Sequence, residues 1–256
     1  FHQPVLIGGE GIIRVRPQDF DRWFKDLGDI TQIETDADMF VSLGITAVRS
    51  AFDTSMVQAL QKLPPAILDL YLRGRELALF VSNGCAYDCN FCAADKGRPE
   101  QYRTLATMLE EIAYIAEYLT SRGVRTLPLY LTNLDAFQNP KRLELYLRSA
   151  ADTAKRHGVS LRIRCLATTK CTVKACENDA ELPSRLYDCG LRVVGFGVDG
   201  ADAETWAREN KKHNDLRDIE SARIYMQDAQ IRVETLMIIG FKRDPWRSTW
   251  HSFLFS

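Results

Sequence analysis

Residues 84–97 read GCAYDCNFCAADKG and bring three cysteines, Cys85, Cys89 and Cys92, into a C-x3-C-x2-C array with no fourth nearby. Thiolates this close are metal ligands by type. A structural zinc ion takes four ligands, usually as two separated pairs. The sequence offers no second C-x2-C or H-x3-H pair, since His2, His157, His213 and His251 are scattered singly. An iron–sulfur cluster is also built on cysteine thiolates, four of them when it is closed. Three thiolates would hold three irons and leave the fourth open to a ligand, as a catalytic zinc site keeps one position free. A cluster of this kind, a zinc-binding module, an iron–sulfur electron carrier and a set of buried structural thiols are the chemistries open to the motif. The count of seven cysteines is odd, which argues against a full disulfide framework.

Such a loop needs a scaffold, and the sequence from residue 76 onward supplies one. Short apolar runs at 76–84, 126–133, 160–169, 191–199 and 231–240 alternate with amphipathic stretches. The run 104–123 places Leu105, Met108, Leu109, Ile112, Ile115, Ala116 and Leu119 at helical spacing and stops at Gly123. The run 140–158 starts on Pro140 and ends on Gly158, a helix by its punctuation. Further helices are expected near 179–189 and 216–229. Strand–helix alternation predicts an α/β fold with a parallel sheet. We read it as a partial (β/α)6 TIM-like barrel, five units present, preceded by a small N-terminal accessory segment. In such folds chemistry sits at the C-terminal ends of strands, and the cysteines follow the first one.

The expected division is an accessory segment over 1–75 and a core domain over 76–256, with the Pro64–Pro65 break taken as the boundary signal. Within the first part, PVLIGG (4–9) reads as a strand into a glycine turn and 18–27 as a helix. The chain opens at Phe1 and ends on STWHSFLFS without a closing element, and so reads as part of a longer protein. Lys and Arg total 33 against 34 Asp and Glu, so no global charge recruits nucleic acid or an anionic membrane. No apolar run approaches the roughly 20 residues of a membrane span. With no secretory signal visible, the expected location is cytoplasmic.

The cysteine stretch resembles the signature of the radical S-adenosylmethionine enzymes, with Phe91 as the aromatic before the last cysteine. GCAYDCNFC is similar to the GCPYxCxFC of the branch holding methylthiotransferases and cobalamin-dependent radical enzymes, with Ala86 in place of the proline. The resemblance runs from about 76 to 245. It implies a [4Fe–4S] cluster on Cys85, Cys89 and Cys92, whose open iron chelates the amine and carboxylate of S-adenosyl-L-methionine. One electron then cleaves that molecule to methionine and a 5′-deoxyadenosyl radical for hydrogen abstraction. A reducing partner such as flavodoxin or ferredoxin is implied as well, and the substrate is left open.

Other strand ends extend the resemblance. LTNLDAFQNPKRL (131–143) is similar to the DDxFxxNPxRL of the cobalamin-associated branch and points to Asn133 and Asp135 near the methionine amine. RCLATT (164–169) offers Arg164 and Thr168 to the cofactor. GFGVDGADAETWARENKKHN (195–214) is similar to FGVESGSxExLxxxNKxHT, with Asp199 where glutamate is usual, as a ribose ligand. The G-x-G-x-x-G at Gly195, Gly197 and Gly200 lies on a fourth strand, where a dinucleotide fingerprint does not belong. LMIIGF (236–241) resembles the GxIxGxxE strand through Ile238 and Gly240, though Arg243 occupies the expected acidic position. Cys165, Cys171, Cys176 and Cys189 match no auxiliary-cluster spacing and read as structural. PVLIGGEGI is similar to the end of a cobalamin-binding domain, without the D-x-H-x-x-G segment that would carry a cobalt ligand. The two enzyme readings are therefore a deoxyadenosyl-radical enzyme and a cobalamin-dependent radical methyltransferase.

Overall fold

Each of the apolar runs beginning at 76, 126, 160, 191 and 231 contributes one strand to a single parallel sheet in the computed structural model. The structure describes residues 5–7, 30–32, 53, 55–62, 65–73, 76–94, 96–238, 241 and 245–255. Two compact units are formed, Phe1–Thr54 and Ser55–Ser256. In the first, β1 (Val5–Ile7) pairs in parallel with β2 (Ile30–Gln32). The helix expected over 18–27 lies outside the described residues.

The second unit starts with α1 (Val57–Lys62) and α2 (Pro65–Arg73), on either side of the Pro64–Pro65 break. Its sheet runs β3 (Leu77–Leu79), β6 (Thr126–Leu131), β7 (Ser160–Ala167), β8 (Leu191–Gly197) and β9 (Arg232–Leu236), in that spatial order and all parallel. Sequential neighbours joined by helices give the wall of a (β/α) barrel. The crossovers are α3 (Leu105–Ser121), α4 (Pro140–Arg156), α5 (Thr169–Asn178) with α6 (Leu182–Asp188), and α7 (Ala203–Arg208) with α8 (Leu216–Asp228). Helix α9 (Pro245–Phe255) follows β9. On α3, Met108, Ile112, Ile115, Ala116 and Leu119 are buried, the stripe expected from the spacing. Leu127, Leu129, Leu161 and Ile163 meet that layer from the sheet in one core. No helix among the described residues is long and apolar enough to cross a membrane.

Two differences from the expected elements bear on function. The run 76–84 is not one strand. After Leu79 the chain leaves the sheet, and β4 (Ser82–Asn83) pairs antiparallel with β5 (Gln101–Tyr102), pinning both ends of the cysteine loop. Helix α5 was not expected, because TKCTVKACEN mixes β-branched and cysteine residues of modest helix propensity. Thr168 caps it, its Oγ1 accepting from the Cys171 N–H at 3.4 Å, and Thr172, Val173, Ala175 and Cys176 bury its inner face.

Candidate functional site

The loop between β4 and β5 is held by its own backbone and by the segment after α7. Cys92 N–H donates to Cys89 O (3.1 Å), Gly97 N–H to Tyr87 O (2.9 Å) and Arg98 N–H to Cys85 O (3.0 Å). Lys96 Nζ donates to the Cys89 carbonyl. Gly84 sits at φ +98°, and a Cβ there would lie 2.7 Å from the Pro99 carbonyl oxygen, so the loop closes only on glycine. At the loop root, Ser82 and Tyr102 both donate to Glu100. Beneath it Arg103 forms a buried ion pair with Glu111 at 2.6 Å.

The loop closes one side of a cleft of about 340 Å3 at the C-terminal ends of the strands. Cys85, Cys89, Cys92 and Phe91 line it from the loop, Asn133 after β6, Thr168 after β7, and Asp199 after β8. Seven of the residues singled out from the sequence thus meet in one place. All three thiols face this cleft from the one loop. All three are free thiols. Burial pushes the Cys85 thiol up to about 11 and raises that of Cys89.

Asp199 is in the left-handed region at φ +40° and forms an ion pair with Lys211 at 2.9 Å, with both side chains buried. Gly197 leaves room for that pair, because a Cβ there would stand 3.0 Å from the Asp199 carboxylate and 3.2 Å from Lys211 Nζ. Trp206 Nε1 donates to the Val198 and Asp199 carbonyls (2.6 and 3.0 Å), and Asn214 Nδ2 to Gly197 O at 3.0 Å. The end of β8 is fixed by these bonds. Lys211 Nζ also stands 5.6 Å above the Phe91 ring, and His213 stacks on Tyr87 at 3.7 Å.

Three expected positions fall elsewhere, and a fourth is outside the described residues. Asp135 is fully buried and does not line the cleft. It accepts from Thr168 Oγ1 (2.7 Å), Thr168 N–H (3.0 Å) and Phe137 N–H (3.3 Å), so it supports Thr168 from behind. Arg164 faces the sheet interior lower down, paired with Glu234 at 2.9 Å and Glu76 at 3.5 Å over the Tyr130 ring. Ile238 lies past β9, where Leu236 lines the cleft instead. Gly240 lies outside the described residues, as does Arg243. Asn133 does line the cleft. With its amide turned to satisfy the network it donates to Leu131 O (3.1 Å) and accepts from Ala136 N–H (3.0 Å).

The residues missed are Lys96, Lys211 and His213, all lining the cleft. The last two lie inside the quoted stretch ENKKHN, where the lysine–histidine spacing was the available signal. Cys171 meets Tyr87 Oη at 3.4 Å, while Cys165, Cys176 and Cys189 are buried.

The family model described as the Radical SAM superfamily matches residues 79–255. No curated protein compared with the chain matches it. Among solved structures, the chain is similar to the cobalamin-dependent S-adenosylmethionine radical enzyme OxsB with aqua-cobalamin and S-adenosylmethionine bound. That match has a TM-score of 0.61 at 11% identity and covers 96% of this chain. The chain spans 38% of the length of that structure. Methylornithine synthase PylB follows at TM-score 0.48 and 16% identity, over 87% of this chain and 60% of that one. Coproporphyrinogen III oxidase HemN from Escherichia coli gives TM-score 0.46 and 15% identity, over 87% and 50%.

Proposed function

Because the chain belongs to the radical S-adenosylmethionine superfamily, we propose that Cys85, Cys89 and Cys92 hold a [4Fe–4S] cluster beside a cleft that takes S-adenosylmethionine. The observation that carries this reading is the meeting of all three thiols, Phe91 and Asp199 on one cleft at the strand ends. Three cysteines with no fourth ligand beside them in the sequence favour a cluster with one open iron over a structural zinc ion, which takes four ligands. When bound, the cluster supplies the electron that cleaves S-adenosylmethionine to methionine and a 5′-deoxyadenosyl radical.

The chain's own residues bind, orient and shield. Lys211 and Asp199 offer one cation and one carboxylate within the same wall, suited to the carboxylate and the ribose hydroxyls of the ligand. Phe91 presents an aromatic face with Phe241 packed edge-on at 5.6 Å. Thr168 and Asn133 shape the remaining edge, Thr168 being held by Asp135. Arg164 stays in its ion pairs with Glu234 and Glu76, outside the cleft lining. Electrons come from a reducing partner of the flavodoxin or ferredoxin class.

The test is anaerobic reconstitution with iron and sulfide, reduction with dithionite and addition of S-adenosylmethionine. About four irons per chain, an electron paramagnetic resonance signal altered by S-adenosylmethionine, and release of 5′-deoxyadenosine are expected. A cluster indifferent to S-adenosylmethionine would identify an electron carrier instead. The second reading, a cobalamin-dependent radical methyltransferase, is favoured by the likeness to OxsB, which extends beyond the family-model range to 96% of the chain. Release of S-adenosylhomocysteine that depends on added hydroxocobalamin distinguishes it.

A further inference from the structure

The segment 208–214 touches both the cysteine loop and the end of β8. Carbonyls of Glu209 and Arg208 accept from Asn90 N–H and Nδ2, each at 2.9 Å, and Asn210 Nδ2 donates to Asp88 O at 2.7 Å. Lys211 turns the other way to Asp199. His213 lies between, 6% exposed, lining the cleft and stacked on Tyr87 with ring centroids 3.7 Å apart and planes 20° apart. Its Nε2 is buried with no hydrogen-bond partner among the described residues.

A buried polar atom without a partner has lost its water and gained nothing, which native structures rarely tolerate. At the wall of a cleft the missing partner is a ligand atom or an ordered water. The ring is neutral, since burial first, then the nearby Lys211 and Lys170, push its pKa down to about 3. A neutral imidazole carries one N–H and one lone pair. Two lysines beside it favour an oxygen anion as the group that the N–H meets. S-adenosylmethionine carries one anionic group.

We propose that His213 is a further ligand-binding residue, donating from Nε2 to the carboxylate of S-adenosylmethionine while its stack on Tyr87 fixes the ring. The inference rests on the cleft being the S-adenosylmethionine site. Binding of S-adenosylmethionine and of its decarboxylated analogue to the reconstituted chain is measured by anaerobic calorimetry for wild type, His213→Phe and His213→Gln. Phenylalanine keeps an aromatic face against Tyr87 and removes the donor. Relative to wild type, His213→Phe is expected to weaken S-adenosylmethionine roughly ten- to hundredfold, the range for a hydrogen bond to a charged group, and to change the analogue by no more than about twofold. His213→Gln, which retains a donor, is expected to recover part of the loss. Equal loss for both ligands, or no loss for either, overturns the proposal. If the phenylalanine variant does not retain iron, His213→Gln decides: a severalfold loss for S-adenosylmethionine with the analogue unchanged supports the assignment, and no loss or an equal loss for both overturns it. Iron-loaded wild type that binds no S-adenosylmethionine rejects the reading of the cleft itself, and the proposal with it.

Discussion

At the residue scale the cysteines divide into two environments. Cys85, Cys89 and Cys92 line the cleft, whereas Cys176 lies on the buried face of α5, where burial pushes its thiol up to about 12. Replacing any of the first three by Ala is therefore expected to abolish the iron chromophore after reconstitution. Cys176→Ala should keep it, measured as iron per chain and visible absorbance. Asp199 carries a second prediction. Its pair with Lys211 is buried, so Asp199→Ala leaves an unpaired cation and is expected to destabilise the fold by about 3–5 kcal/mol. The same variant should weaken S-adenosylmethionine by about 1–3 kcal/mol through lost hydrogen bonds. Adding Lys211→Met should recover most of the stability in urea titration and none of the affinity. If affinity returns with stability, neither side chain holds the ligand and Asp199 acts only by neutralising Lys211. The cysteines were legible because their types and spacing are the chemistry. Asp135 and Arg164 were not, since a polar residue at a strand end can face the cleft, the core or the lower barrel. Only register with Tyr130 and Glu234 assigns Arg164 to the last of these.

Among the elements, the short hairpin of β4 and β5 decides where the thiols stand. The sequence showed all five sheet strands because each is a short β-rich run between helical stretches, burying alternate residues in β3, β6 and β7. It could not show that the first run breaks after Leu79, because Ser82 and Asn83 are paired by residues of another segment. The same limit hid α5, whose helix is set by a cap and by packing more than by propensity. Gly84 tests the hairpin. Alanine there must adopt φ +98° with its Cβ 2.7 Å from a backbone oxygen that cannot yield cheaply. We expect Gly84→Ala to cost about 1–3 kcal/mol locally. The far-ultraviolet dichroism should stay near wild type while iron retention falls several-fold. Full iron loading in that variant would show that the loop closes without the glycine conformation.

For the whole molecule, the two possible limits of the core domain make different predictions. The Pro64–Pro65 break and the first sheet strand together place the limit at residue 76. The folded chain divides at Thr54–Ser55. Between the two limits lie α1 and α2, which bury Leu60, Leu68 and Leu72 in the same core as the sheet strands. Met56 N–H donates to Glu111 Oε1 at 2.8 Å, on the carboxylate that also pairs with Arg103 under the cysteine loop. Tyr118 of α3 donates to Asp69 of α2 at 2.6 Å. Exposing three buried leucines alone forfeits on the order of 5–9 kcal/mol, an upper estimate comparable with the whole stability of a domain. A chain of residues 55–256 should therefore fold cooperatively in urea, hold iron on its three cysteines and bind S-adenosylmethionine with the affinity of the longer chain. One of residues 76–256 should lack a cooperative transition and lose iron, because the Arg103–Glu111 pair loses its cover. Equal stability and iron content for the two would place the limit at residue 76 and leave α1 and α2 as dispensable additions to the sheet.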